Sequence, residues 1–339
     1  MPLEKQNGQL LVREIMLKMK TQDLVKVGET PLIHHIETKG IRPLVWAQEN
    51  KDAIHNLLDE NGALLIKGLK IISSKQLSQF LQTIFGDELL DYSYRSTPRK
   101  ELGSKIYTAT EYHRSETIPL HNENSYSDEW ARHIGFFCML PSSSGGQTPI
   151  ADGEKVYQQL PVHIKDKFEQ KGVMYVRNYS DIDLPWTEVF QTDCKEQVTE
   201  ICRKRNIKCS WLEDNRLRTS QINQAIVVHP VSGNKVWFNQ AHLFHISRQD
   251  QEVQDSLLST LGYQFLPRNA YYGDGTPIET EYLDVIRQTY EDVKISFDWQ
   301  KSDIMLLDNM RFAHGRAPFD GERKVLVGMA NACQSNQGS

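Results

Sequence analysis

Short apolar runs punctuated by Gly, Pro, Asn and Asp recur along the chain, and eight of them read as strands. They are Ala63–Ile66, His133–Met139, Gly172–Arg177, Ala225–His229, Lys235–Asn239, Lys294–Phe297, Asp303–Leu307 and Lys324–Ala330. Between them lie stretches of helical period. "NKDAIHNLLDENG" carries apolar Ala53, Ile54, Leu57 and Leu58 and stops at Gly62. "SSKQLSQFLQTIFG" opens on Ser caps and closes on Gly86. "LPVHIKDKFEQKG" places Pro161 in a first turn and Gly172 at the C-cap. "DCKEQVTEICRKRN", "DQEVQDSLLSTLG" and "ETEYLDVIRQTYED" complete the set.

Helices do not follow the strands regularly, which argues against a doubly wound parallel sheet. Short strands with helical insertions fit a mainly β jelly-roll core. The insertions are expected around residues 153–220 and 248–294. Residues 1–40 read as an N-terminal extension, 41–332 as one catalytic domain and 333–339 as a tail. The most apolar run, "GALLIKGLKII", is far short of the ~20 residues of a membrane span, so no membrane segment is expected.

Hydrophobic and charged contents of 39% and 24% are those of a soluble globular protein. The net charge is −5 and no dense basic block occurs, so nucleic acid is not an expected partner. The N-terminus is too charged for a secretory signal. Five cysteines, at 138, 194, 202, 209 and 333, include no C-x-x-C pair. They read as free thiols of a reducing cytoplasm.

Candidate chemistry begins at "HNENSY", where His121 and Glu123 are separated by one residue. With 11 His and 44 acidic residues, chance supplies about one such triplet, and a second stands at His35-Ile-Glu37. A distal segment, "SDIMLLDNMRFAHGRAPFDGERKVLVGMA", adds His314 after a polar Asp308-Asn309 turn and then Arg323. Two imidazoles and one carboxylate on one side of a metal leave open positions, the arrangement of non-haem Fe(II) oxygenases. The Thr148 hydroxyl and the Arg323 guanidinium suit the far carboxylate of a 2-oxo diacid. "SGGQTP" lacks the Lys of a phosphate loop.

These residues resemble the TauD/TfdA family of Fe(II)/2-oxoglutarate-dependent oxygenases, most closely its clavaminate-synthase-like branch. The matching pattern is His121-x-Glu123, Thr148 25 residues on, the distal His314, and Arg323 nine residues after it. Flanking runs such as "PSSSGGQTPIADG" and "HPVSGNKVWFNQAHLFH" extend the likeness over most of Gly62–Ala330. The resemblance implies a double-stranded β-helix with iron on His121, Glu123 and His314. It implies 2-oxoglutarate held by Thr148 and Arg323, with O2 as co-substrate. Arg316 is a further candidate for the co-substrate, or a salt-bridge residue. Asn124, Tyr126 and Arg311 are candidates for substrate contact. His229, His242 and His245 are expected in supporting roles, and Asp308 and Asn309 are expected to shape the turn. Glu123 replaces the commoner Asp, and a carboxylate there argues against the related halogenases. Val327 stands where the taurine enzyme carries its sulfonate-binding Arg, so a taurine-like substrate is disfavoured.

The expected reaction is hydroxylation of an unactivated C–H bond in an amino-acid-like small molecule, free or tethered to a carrier protein. Desaturation, epoxidation and cyclisation stay open, as do a Zn or Mn hydrolase or isomerase and a binding protein without turnover.

Overall fold

The computed structural model describes residues 25–27, 30–38, 42–91, 99–109, 112–180 and 182–335, with side chains from Thr38 onward. His35 and Glu37 lie on the strand Thr30–Glu37, and their side chains are outside the described set. A seven-stranded sheet is ordered Val25–Val27, Thr30–Glu37, Ala63–Lys67, Ile304–Asp308, Glu129–Leu140, Lys324–Gln334 and Tyr107–Thr108. A three-stranded sheet places Phe312–Arg316 between Ile118–His121 and Ile150–Asp152.

The continuous apolar runs follow from burial of the larger sheet on both faces. Leu64, Ile66, Ile304, Leu306, Phe137 and Leu326 pack with Trp46, Ile54 and Phe80 of the helices Pro43–Asn61 and Ser74–Phe85. The alternate residues Ala63, Leu65, Met305, Leu307, Phe136 and Val325 pack with Ile150 and Phe312 of the smaller sheet. Period-two alternation thus separates a helix-facing layer from an inter-sheet layer. The result is the expected double-stranded β-helix, with the smaller sheet carrying the site.

Gly135 and Gly328 face one another across neighbouring strands and leave room for Leu81 of the helix Ser74–Phe85. A Cβ on Gly135 would lie 2.3 Å from Leu81 Cδ2, and Leu81 is fully buried. Gly135→Ala is therefore expected to cost about 1–3 kcal/mol by overpacking, read from urea unfolding midpoints.

Several expectations need correction. The region 153–220 is not purely helical. Besides the expected strand at Gly172–Arg177, found as Val173–Tyr179, it supplies Lys208–Trp211 and most of Leu217–Asn223, and 248–294 adds Arg268–Tyr272; these four strands form their own sheet. Lys294–Phe297 is not a strand: Ile295 makes a single bridge to Ile150. The first helix starts at Pro43, seven residues before its predicted start. Pro161 is an N-cap rather than a first-turn residue. The 333–339 tail begins inside the last strand, where Cys333 and Gln334 still pair with Trp130 and Glu129. All five cysteines are free. Among the described residues, no helix is long and apolar enough to cross a membrane.

Candidate active site

His121 closes the strand Ile118–His121 and is register partner to His314, in the central strand of the smaller sheet. This pairing brings residues 193 positions apart in the sequence to ring centroids 4.7 Å apart. His121 Nδ1 lies 2.8 Å from the Pro119 carbonyl, which leaves Nε2 for a metal. His314 is fixed edge-on by Phe136, with centroids 5.0 Å apart.

Glu123 lies beyond the strand end, where the chain turns through Asn124 at φ +58°. Strand alternation therefore does not aim Glu123; the Asn309 side chain does. Its Oδ1 accepts the Glu123 amide at 2.7 Å, and its Nδ2 donates to the Glu123 and Ala131 carbonyls at 3.1 and 2.8 Å. Asn122 Nδ2 donates in return to the Asn309 carbonyl at 2.7 Å. Ligand atoms of His121, Glu123 and His314 lie within 4.8 Å of one another, and His314 Nε2 is 3.9 Å from Glu123 Oε2.

Burial holds His121 below its ordinary pKa and His314 well below it; the nearby cation Arg99 adds to both shifts. Both imidazoles are therefore neutral at physiological pH, the form that binds a metal. Two neutral imidazoles and a carboxylate fit an Fe(II) ion by donor chemistry. Arg99, which carried no local signal in the sequence, donates from Nη2 to Glu123 Oε2 at 2.5 Å, with both side chains buried.

A narrow cavity of about 30 Å³ runs from His121 and His314 to Thr148, Arg316 and Arg323. Thr148 Oγ1 accepts from Trp299 Nε1 at 2.9 Å and from Arg323 Nη2 at 3.2 Å. Its own proton is left to donate. Arg323 Nε is bonded to the Gly146 carbonyl at 2.8 Å. Burial, with Arg316 nearby, lowers the Arg323 pKa to about 10, so the guanidinium stays charged at neutral pH. Arg316 lines the same cavity, and its two terminal nitrogens donate to the carbonyls of Tyr112, His113 and Glu116.

The three candidates for substrate contact go elsewhere. Tyr126 is buried in the core against Phe244 and Tyr175 and donates to Asn124 Oδ1 at 3.3 Å. Asn124 is thereby tied to the turn. Arg311 sits three positions before His314, so the pleat turns it to the opposite face. It bonds Asp152 Oδ2 at 3.0 Å and the Glu60 carbonyl at 3.1 Å. Asp152 also caps the helix Gly153–Gln159. His242 Nε2 contacts the Leu120 carbonyl at 3.0 Å, and His229 Nε2 contacts Asp308 Oδ2 at 2.9 Å; both are supporting roles. Asp308 Oδ1 accepts the Met310 amide at 2.9 Å and so shapes the turn.

Asn309→Ala removes three buried hydrogen bonds around the Glu123 backbone. The expected loss is about 2–4 kcal/mol of stability. Metal affinity should fall about 10- to 100-fold, read by Co(II) titration.

The fold and this donor set define the class of Fe(II)/2-oxoglutarate-dependent dioxygenases. The model of the family "Taurine catabolism dioxygenase TauD, TfdA family" matches residues 30–330. The dapdiamide synthesis protein DdaC of Enterobacter agglomerans is 42% identical over 277 residues, covering 81% of this chain and 84% of that protein. A clavaminate synthase-like protein of Arabidopsis thaliana is 28% identical over 295 residues, covering 82% and 84%. The fold is also that of PvcB from Pseudomonas aeruginosa, with TM-score 0.53, 13% identity and 91% of each chain covered. The chain belongs to the TauD/TfdA family. It is an Fe(II)/2-oxoglutarate-dependent dioxygenase, and its cofactor set is Fe(II), 2-oxoglutarate and O2. Membership replaces the hydrolase, isomerase and non-catalytic alternatives.

Proposed function

We propose that the protein hydroxylates an unactivated C–H bond of an amino-acid-derived small molecule in a biosynthetic pathway. The observation that carries this reading is that His121 lines two cavities. One is the narrow channel to Thr148 and Arg323. The other is a separate cavity of about 370 Å³. A metal held by His121, Glu123 and His314 would therefore have the co-substrate on one side and a substrate-sized space on the other. The kinship to DdaC, a protein of dapdiamide synthesis, supports a biosynthetic setting.

Iron bound there supplies O2 activation coupled to decarboxylation of 2-oxoglutarate to succinate and CO2. The protein's residues do the rest. The Thr148 proton and the Arg323 guanidinium hold the distal carboxylate of the diacid, whose entry requires the lining side chains to move apart. Arg99 orients the Glu123 carboxylate by holding its Oε2. Arg316 ties down the 112–116 segment, whose Tyr112 lines the larger cavity. Leu243, Phe244 and Ile246 give the larger cavity an apolar wall that excludes water.

The test measures succinate release with Fe(II), 2-oxoglutarate, O2 and a panel of amino acids, free and carrier-loaded. Products are read by mass. Stimulated release with a product heavier by one oxygen atom is expected. A product lighter by two hydrogens would replace hydroxylation with desaturation.

A further inference from the structure

We propose that Arg248 anchors a carboxylate of the substrate inside the larger cavity, directly on the far side of His121 from the co-substrate. The assignment rests on reading that cavity as the substrate site.

Arg248 closes the short turn Ile246–Arg248, is half-buried, and lines the cavity together with His121. Among the described residues its guanidinium has no hydrogen-bond partner and no carboxylate within 4.0 Å. The neighbouring cations are all engaged. Arg268 forks onto Asp183 at 2.5 and 2.6 Å. Arg287 is bonded to Asp284 at 2.7 Å, to Ser247 Oγ at 2.9 Å and to the His242 carbonyl at 3.0 Å. Among the described residues Asp183 is the one acid on the cavity wall, and Arg268 already neutralises it.

His245, also on the wall, is kept neutral because burial, aided by Arg287, lowers its pKa to about 4. Among the described residues the wall therefore carries one uncompensated positive charge. That charge is felt at His242 and at Arg287, where it adds to the effect of burial. A half-buried guanidinium with no counter-ion is unfavourable unless a ligand supplies one.

A carboxylate matches the planar fork with two parallel hydrogen bonds. The phosphate of a carrier's arm is a poorer fit, since it lies at the far end of that arm from the reacting acyl group. Arg248 shares its cavity with a metal ligand and so meets the reacting end. A substrate joined to a carrier through its only carboxyl, as a thioester, would offer Arg248 nothing. The assignment thus favours a free acid or one with a side-chain carboxylate.

The test measures binding of α-amino acids and their α-carboxamides to protein loaded with Mn(II) and 2-oxoglutarate, by calorimetry. The same titrations are run on R248Q and R248K, with thermal unfolding as the check on folding. At least one acid is expected to bind about 10- to 100-fold more tightly than its amide. R248Q is expected to erase that preference, and R248K to restore part of it. Equal binding of acid and amide, a preference that survives in R248Q, or no binding by any acid would each overturn the assignment. Manganese does not support turnover, so this result is independent of the hydroxylase reading. That reading stands or falls on the product of the Fe(II) reaction.

Discussion

Glu123→Ala is expected to lower Fe(II)-dependent succinate release by roughly 1,000-fold or more, the several kcal/mol that a metal-bound carboxylate contributes. The same substitution should weaken Co(II) or Fe(II) binding, because only two imidazoles remain on the ion. A second consequence separates this residue from an ordinary ligand. Glu123 and Arg99 form a pair with side chains 3% exposed each, so truncating the acid leaves a buried guanidinium without its carboxylate. Breaking one side of a buried pair costs about 3 kcal/mol, and the apo protein should unfold at correspondingly lower urea. Glu123→Gln keeps an oxygen for Arg99 and should retain much of the stability while losing most of the metal affinity. Unchanged metal binding in Glu123→Ala would remove Glu123 from the ligand set. Loss of stability alone, with turnover intact, would make the Arg99 pair purely structural.

The part of the site written as spacing was legible in the sequence. His121, Glu123, Thr148, His314 and Arg323 stand in family order, and the fold brings them to one cavity system. The apolar runs of the larger sheet were equally legible, since burial on both faces makes them continuous. The missed elements lack such a signal. "LRTSQIN" hides its alternation, because its buried positions include polar Thr219, Gln221 and Asn223 while Ile222 faces outward; it pairs with Val173–Tyr179, and "KCSW" pairs in turn with it. "KISF" alternates like a strand, yet only Ile295 finds a partner: in the antiparallel register Ser296 would face Pro149, which has no amide hydrogen to give and lies just before the strand Ile150–Asp152 begins.

Supporting residues are harder still to see in a sequence. Asn309 looks like a turn residue, and its bonds to Glu123 span 186 positions. Arg311 looked free to meet a substrate because its partner Asp152 is 159 positions away. Arg248 is the converse: nothing around it in the sequence marks it, and it draws notice because its guanidinium has no partner among the described residues.

Arg323→Gln should raise the KM for 2-oxoglutarate roughly 100-fold or more and leave Fe(II) affinity nearly unchanged. The guanidinium is charged and half-buried, and two of its nitrogens are already fixed to Gly146 and Thr148. It is thus oriented before the diacid arrives, and removing one partner of a buried charge pair typically costs about 2–5 kcal/mol of binding. Arg323→Lys keeps the charge but cannot fork, so an intermediate KM is expected. Thr148→Val should raise KM by about 10-fold, since it removes one hydrogen bond to a charged group. The double substitution should fall short of the product of the singles, because Thr148 also holds Arg323 at 3.2 Å. Succinate release over a 2-oxoglutarate titration reads all four variants, and metal titration supplies the control. A KM unmoved by Arg323→Gln would place the distal carboxylate on another cation, and Arg316, on the same cavity wall, is the next to substitute.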